Sequence, residues 1–382
     1  MKFATTAIVM MFCAAVVRAT AVFEAGSAVP VAPALLSETG LYAGDGTLRI
    51  DARNRPFSPQ YPLWSDGAVK RRWIRLPDGA TIDATDLARW EFPVGTRFWK
   101  EFSFSGRKVE TRMLWRATES QWVFATYVWN DAQTDAALAP DDGVADAAAI
   151  APGKSHTIPG IADCRSCHTS ARTEILGFDA LNLSDDRDPN APHAETLTPD
   201  MITLRTLTEE SLIIPKRPGL IATPPRIAAN SPTERAALGY LSTNCGSCHN
   251  RESSIASLGL ILKHGDQAVL ATIINQRGHW VVPEAKEESR LINPGHPESS
   301  AIVRRVKSRR PSSQMPPLGT VVVDREAVDL LTRWILEMQN GLCSSTGGAH
   351  DVPPHAQLGS CRSRVVDRHR GRHCGPGPAT SC

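Results

Sequence analysis

Residues 245–249 read Cys-Gly-Ser-Cys-His, and the interpretation of the whole chain starts from them. Two thiols three positions apart, followed directly by a histidine, are the pattern of covalent haem attachment. On one helical turn, each sulfur can form a thioether with one vinyl group of a porphyrin, and His249 follows as an iron ligand. The same pattern stands earlier as Cys-Arg-Ser-Cys-His at 164–168. The sequence therefore predicts two haem c groups, attached through Cys164, Cys167, Cys245 and Cys248 and ligated by His168 and His249.

Paired cysteines also occur in zinc sites and in redox enzymes. A zinc ribbon spaces its two CxxC pairs about 15–20 residues apart. Here 77 residues separate Cys167 from Cys245. A thioredoxin-like motif belongs to a βαβ unit, which the flanking sequence does not offer. Covalent haem is the reading that both motifs favour.

A third element, Gln-Met-Pro-Pro at 314–317, follows the second motif. Two prolines after Met315 exclude a helix there and leave an extended loop, on which a thioether can face an iron. Met315 is thus the predicted second ligand of the haem held by His249. No such segment follows His168. The candidates for its sixth ligand are Met201, His193, His156 and Met113, and the position can also be open.

The net charge of the chain gives little information about its partners. The 382 residues carry a formal net charge of only +2, so no bulk charge indicates nucleic acid. The basic stretch 304–310 is local. It is either a solvated helix face or a docking patch for an acidic redox partner.

The N-terminus predicts export. Lys2 precedes an apolar run at 7–17, and Ala-Thr-Ala at 19–21 suits signal cleavage. No later stretch has the 18 apolar residues of a membrane span. We expect a signal peptide at 1–21, a linker at 22–37, and a periplasmic or secreted mature chain with no membrane span.

The region 38–150 has the texture of β structure. It holds seven of the nine tryptophans, in short runs that alternate with charges and end at turn residues. This pattern predicts an antiparallel, sandwich-like β domain. A first haem segment is expected at 151–230.

The region 231–341 has helical signals. Ser231-Pro232-Thr233-Glu234 is a capping box that starts a helix running into Cys245. A second helix is expected at 299–309. A last helix should start with Asp324 as N-cap and end at Asn340-Gly341. Residues 342–382 have no apolar periodicity and are expected to be disordered.

The order of helix, CxxCH, helix, methionine loop and terminal helix resembles a class I cytochrome c domain. From 38 to 340 the chain resembles exported bacterial dihaem c-type cytochromes with a tryptophan-rich N-terminal β domain, through phrases at 57–67, 92–96, 109–112, 163–168, 244–249 and 314–319. The resemblance implies haem and redox function but no particular substrate. The expected fold is multidomain α+β, an N-terminal antiparallel β (sandwich-like) domain followed by mostly α cytochrome c-type haem domains.

Three functions fit these features. The first is electron transfer through two covalently bound haems with no open iron position. The second is a dihaem oxidoreductase, peroxidase-like, in which one haem is open and the other supplies electrons. The third is a carbohydrate- or partner-binding module in which haem serves local electron transfer, and only the predicted β domain supports this interpretation.

Overall fold

Short strands and short helices make up the fold, as seen in a computed structural model that describes residues 30–87, 89–169 and 174–344, without the side chains of 339–344. The predicted signal peptide, the first part of the predicted linker and nearly all of the predicted disordered tail lie outside these residues. The strands are β1 (Arg55–Pro56), β2 (Val69–Arg75), β3 (Ile82–Asp86), β4 (Arg89–Glu91), β5 (Arg97–Phe104), β6 (Arg107–Arg116), β7 (Trp122–Trp129), β8 (Ala136–Leu138), β9 (Val144–Ala151), β10 (Lys154–Ile158) and β11 (Ile213–Ile214).

The helices are short except for two. They are α1 (Ile161–His168), α2 (Leu204–Glu209), α3 (Gly219–Ala222), α4 (Pro232–Asn244), α5 (Val269–Ile273), α6 (Ala301–Lys307) and α7 (Arg325–Ser344). Single 3-10 turns lie at Leu36–Thr39, Ala256–Leu258, Pro283–Ala285 and Pro297–Ser299.

The main sheet has six antiparallel strands in the order β1-β2-β5-β6-β7-β8. Residues directly opposite one another on neighbouring strands share a face. Trp73 therefore lies on the same face as Trp99 and Met113, its partners across β5 and β6. The next residues along, Ile74 and Phe98, lie on the other face. The period-two alternation of the tryptophan-rich region thus separates two apolar faces.

Both faces are covered by segments from elsewhere in the chain. The tryptophan face packs on Leu36, Leu41 and Tyr42. The opposite face packs on the small sheet β11-β3-β4 and on buried residues after the first CxxCH motif, including Ile175 and Phe178. The β region therefore shares its core with the segment that follows it.

A third core joins α4 and α7 to the N-terminal half. Tyr61, which precedes β2, is buried among residues of α4, α6 and α7. Its ring lies so close to Gly239 that a Cβ there would be 2.0 Å from Tyr61 Cε1. Tyr61 donates a hydrogen bond of 3.0 Å to Asp188, which fixes the ring from its far end. The glycine in α4 is thus required by the approach of the N-terminal segment.

The predicted multidomain fold with a mostly α cytochrome c-type part is wrong. The described residues up to Gly341 belong to one compact unit. From Cys245 to Ser300, which the structure describes throughout, there is one five-residue α-helix and otherwise only 3-10 turns and loops. The core around α4, α6 and α7 also includes Tyr61 from the N-terminal half, so this part of the chain is not packed as a separate domain.

Candidate functional site

The second CxxCH motif directly follows α4. Ser231 caps that helix by accepting a hydrogen bond from Glu234 N, as predicted, and Cys245 is its C-cap. The chain then continues as a turn, since Cys248 N and His249 N both donate to Cys245 O, at 3.1 and 2.9 Å. The two cysteines and the histidine are therefore held on a single turn at the end of a buried helix.

Gly246 is the residue that allows this turn to pack. A Cβ at this position would lie 2.4 Å from the Ser242 carbonyl oxygen and 2.9 Å from Lys263 Cα. Both contacts are with backbone, which cannot move aside cheaply. The first variable position of this motif is thus fixed as glycine by its surroundings.

Met315 and the second motif line one cavity. Cys245, Cys248 and His249 are among its walls, and so are Met315 and Pro316. Met315 N donates to Arg305 O at 3.0 Å, which holds the start of the Met315 loop, residues 314–322, against α6. The rest of the lining is mainly apolar, from Leu241, Leu258, Leu260, Leu262, Leu291, Ala301, Ile302 and Val306.

His249 has the state that an iron ligand needs. Its side chain is buried, and burial lowers its pKa, so the ring is neutral at pH 7. Nδ1 is buried with no hydrogen-bond partner among the described residues. A buried, unpartnered imidazole is costly unless another group engages it. A neutral imidazole, two thiols and a thioether around an apolar cavity fit a covalently attached haem.

The first motif forms a helix of its own. All five residues lie in α1, none of whose residues is buried, so this helix contributes little to the core. His168 Nδ1 donates a hydrogen bond to the Glu174 carbonyl oxygen, which leaves the lone pair on Nε2. The His168 side chain is partly exposed, but desolvation by the surrounding protein atoms lowers its pKa to about 4. The Phe124 ring lies 5.6 Å away, edge to face. The imidazole is therefore neutral, oriented and ready to ligate through Nε2.

The fold brings the two motifs together. Cys167 and Cys248 are 81 positions apart in sequence, yet their thiols lie close enough to interact. This interaction raises the pKa of Cys167 and lowers the pKa of Cys248. One cysteine of each motif thus lies beside one cysteine of the other.

Three of the four residues predicted as candidates for the sixth ligand of a first haem are engaged elsewhere. His156 is hydrogen-bonded through both ring nitrogens to carboxylates, and His193 Nε2 lies 3.0 Å from Asp324. Met113 is buried on the tryptophan face of the main sheet. The fourth, Met201, lines a cleft beside Lys70 and Arg72.

Sequence reasoning missed a buried polar chain between the two motifs. Asp66 Oδ1 accepts from Val321 N and Val322 N, at 2.7 and 3.0 Å, at the end of the Met315 loop. Asp66 Oδ2 faces His156 Nδ1 at 3.5 Å, and His156 Nε2 lies 2.9 Å from Glu110. The sequence signal for this polar chain was Trp-Ser-Asp-Gly at 64–67, since an aspartate directly before a glycine indicates a turn.

The chain continues from Glu110 to the first motif. Glu110 accepts two hydrogen bonds from Arg112, at 2.9 and 2.7 Å, and is fully buried. Burial opposes ionisation, but Arg112 and His156 together lower the pKa of Glu110 to about 2. Arg112 lies within electrostatic range of Cys164 and Cys167.

Part of the positive charge in the basic stretch 304–310 is engaged within the chain. In the basic stretch, Arg304 pairs with Glu284, and Arg305 stacks on Trp280 at 5.5 Å beside the cavity at the second motif.

No helix among the described residues is long and apolar enough to span a membrane. Within the same residues, no three His, Cys, Asp or Glu side chains converge as a metal centre.

Comparison with protein-family models, with curated proteins and with solved structures finds no match for this chain.

Proposed function

We propose that the chain carries two covalently attached haem c groups and transfers electrons between them. The observation that carries the proposal is the meeting of the two motifs at Cys167 and Cys248. A thioether at each of these sulfurs would bring the two porphyrin edges close together. Short separation between redox centres is what an electron-transfer protein requires.

The chain's own residues have clear tasks in this proposal. The haem groups, when bound, supply iron that cycles between the ferric and ferrous states. Cys245 and Cys248 anchor the second group while His249 and Met315 hold its iron, and the thioether favours the ferrous state. Cys164 and Cys167 anchor the first group, and His168 holds its iron through Nε2. The apolar walls of the cavity at the second motif exclude water.

A peroxidase-like dihaem oxidoreductase is the second candidate. It is favoured by one observation, the engagement of Met113, His156 and His193 away from the first motif. If no protein side chain closes that iron, a small substrate such as peroxide can bind there while the second haem supplies electrons.

The proposal implies an exported protein, since bacteria attach haem c outside the cytoplasmic membrane. Its physiological partner would be another redox protein. An acidic surface on that partner would suit the basic stretch at 304–310, where Lys307 and Arg310 are exposed.

Haem stoichiometry is the direct test. The purified chain, denatured and extracted with acid–acetone, should retain two haems by its pyridine haemochrome spectrum. The double variant Cys164→Ser/Cys167→Ser should retain one, and the control Ser166→Ala, in the same motif, should retain two. A wild-type chain that loses all haem, or that holds stoichiometric zinc, would refute the proposal.

The ferric spectrum then separates the two functions. Two low-spin haems that ignore cyanide support a carrier of electrons. One high-spin haem that binds cyanide or peroxide supports the oxidoreductase.

A further inference from the structure

Three cations stand side by side on the face of the main sheet that is turned to the first motif. Arg72 is directly opposite Lys100, and Lys100 is directly opposite Arg112, on β2, β5 and β6. We call Arg72, Lys100 and Arg112 the cation row. Like charges placed directly opposite on a sheet destabilise it, so the row needs a reason outside the sheet.

The cation row is closely packed around an aromatic ring. Phe102 is fully buried, with Lys100 Nζ at 4.9 Å and Arg112 Cζ at 4.4 Å from its centroid. Lys70, its partner across β2, places a third cation 5.8 Å from the same ring. Cation–π contacts of this kind each contribute about 0.5–2 kcal/mol, too little to offset several desolvated charges.

Carboxylates compensate only part of this charge. Arg112 is paired with Glu110, which also holds His156, and Arg72 Nη1 is paired with Glu195 at 2.9 and 3.0 Å. Asp324, the next carboxylate, is already bound to His193.

Three donors of this cluster are left over. The Nζ groups of Lys70 and Lys100, residues whose backbones pair with neighbouring strands of the sheet, have no ion-pair or hydrogen-bond partner within the described parts of the chain. Arg72 Nη2 is buried and also has no hydrogen-bond partner there. Burial lowers the pKa of Lys70 to about 7 and the pKa of Lys100 well below its ordinary value. An anion bound here would remove that cost.

The direction of the cation row identifies the anion. The end of the row at Arg112 is the one near the first motif, because the His168 ring lies 5.6 Å from Phe124, which pairs with Leu114 on the face that Arg112 shares. At about 4.8 Å per strand, Arg72 is two strands farther on, roughly 10 Å from Arg112 along the sheet. In a porphyrin attached through its vinyl groups, the two propionates lie at the opposite edge of the ring.

We propose that the cation row, with Lys70 beside it, binds the propionate groups of the haem held by Cys164, Cys167 and His168. The proposal rests on the function proposed above. Carboxylates at Lys100 and at Arg72 Nη2 would pair the uncompensated charges and satisfy the orphaned donor. A small free anion such as phosphate has the same chemistry, so the experiment must separate the two sources.

The test uses the whole chain with its haems and the variant Lys100→Met. We expect two covalent haems, a lower reduction potential for the first haem, and a new dependence of that potential on pH near neutrality. The potential falls because a lost cation favours the ferric state. The pH dependence arises because a propionate without its partner takes up a proton. The propionate bands of the resonance Raman spectrum should shift as well.

Two further variants control for charge and folding. Lys108→Met removes a lysine of the same sheet whose Nζ lies over Trp129, at 3.9 Å from the ring centroid, on the opposite face. It should leave the potential, its pH dependence and the Raman bands unchanged. Lys100→Arg keeps the charge and should restore values close to those of the wild type.

Three outcomes would overturn the assignment. One is a dihaem Lys100→Met protein whose potential, pH dependence and Raman bands equal those of the wild type. Another is a wild-type potential that shifts with phosphate but not with chloride, an effect lost in Lys100→Met, which would assign the row to a free inorganic anion. The third is a wild-type chain without covalent haem, which the stoichiometry measurement detects first and which also refutes the proposed function.

Discussion

Replacing Asp66 by asparagine should loosen the Met315 loop while leaving the rest of the fold in place. Asp66 has a φ of 51°, in the left-handed region that asparagine tolerates as well as aspartate does. The change is nearly isosteric, so it removes the charge and little else. The charge assistance of two hydrogen bonds from Val321 N and Val322 N is lost, and so is the pairing of the carboxylate with His156 Nδ1 at 3.5 Å. The two bonds from the loop decide the expected effect on the loop.

The expected magnitude follows from those two bonds. A hydrogen bond to a charged group contributes about 1.5–3 kcal/mol and a neutral one about 0.5–1.5, so the change costs about 1 kcal/mol per bond. Two bonds give about 2 kcal/mol against the closed loop, or roughly 30-fold in its equilibrium with open forms. In the proposed function, Met315 would ligate the second iron, and an external ligand would reach that iron only when Met315 leaves it. The affinity for cyanide should therefore rise by a similar factor.

The assay is a cyanide titration of the ferric dihaem protein, followed at the sulfur-to-iron charge-transfer band. Asp45→Asn is the matched control, because this exposed aspartate also accepts hydrogen bonds from its own turn, at Thr47. It should bind cyanide as the wild type does. If a folded Asp66→Asn protein with two haems also binds cyanide with wild-type affinity, the contact does not hold the loop and the argument is wrong.

Three other changes test separate parts of the structure. Gly246→Ala should lower the free energy of unfolding in urea by about 1–3 kcal/mol and reduce the haem bound at the second motif. Arg165→Ala, at the matching exposed position of the first motif, should do neither. A Gly246→Ala protein as stable as the wild type would contradict the close packing at Gly246. Burial alone would lower the pKa of His156, but its bonds to two carboxylates raise it. The stability this adds is complete below about pH 6.5, the ordinary pKa, and is lost as pH rises through the raised value. A urea series against pH should show that loss in the wild type and a flat curve in His156→Gln. Met315→Ala should keep both haems but lose the sulfur-to-iron band and lower the second potential, while Met201→Ala keeps them; a surviving band would exclude Met315 as ligand.

Local signals in the sequence were sufficient for the longer helices. The helix before Cys245 runs from Pro232 to Asn244 with Ser231 as its cap, as predicted. The last helix begins at Arg325, and Asp324 caps it by accepting a bond from Ala327 N at 3.1 Å. Its predicted stop at Asn340-Gly341 is wrong, because α7 continues to Ser344. Caps are read from neighbouring residues, which is why they are visible without a structure.

Contacts between distant segments were not predictable in the same way. Nothing near Tyr61 indicates that its ring fills the space above Gly239, 178 positions later, or that Trp64 N donates to Asn244 at 2.8 Å. These contacts decide that the β region and the motifs form one unit. The predicted cytochrome c-type helical part is wrong because it was inferred from local signals, which do not report which segments share a core.

The polar chain from Asp66 to Arg112 gives a physical reason for that single unit. One end, Asp66, fixes the Met315 loop at the second motif, and the other, Arg112, stands in the cation row at the first. His156 and Glu110 between them are buried, and a buried charge that loses one partner costs several kcal/mol. Displacing either Asp66 or Arg112 would therefore leave a buried charge without its partner elsewhere in the polar chain. In the proposed electron-transfer function, such a link would keep the two motifs at a constant separation while the charge on each iron changes.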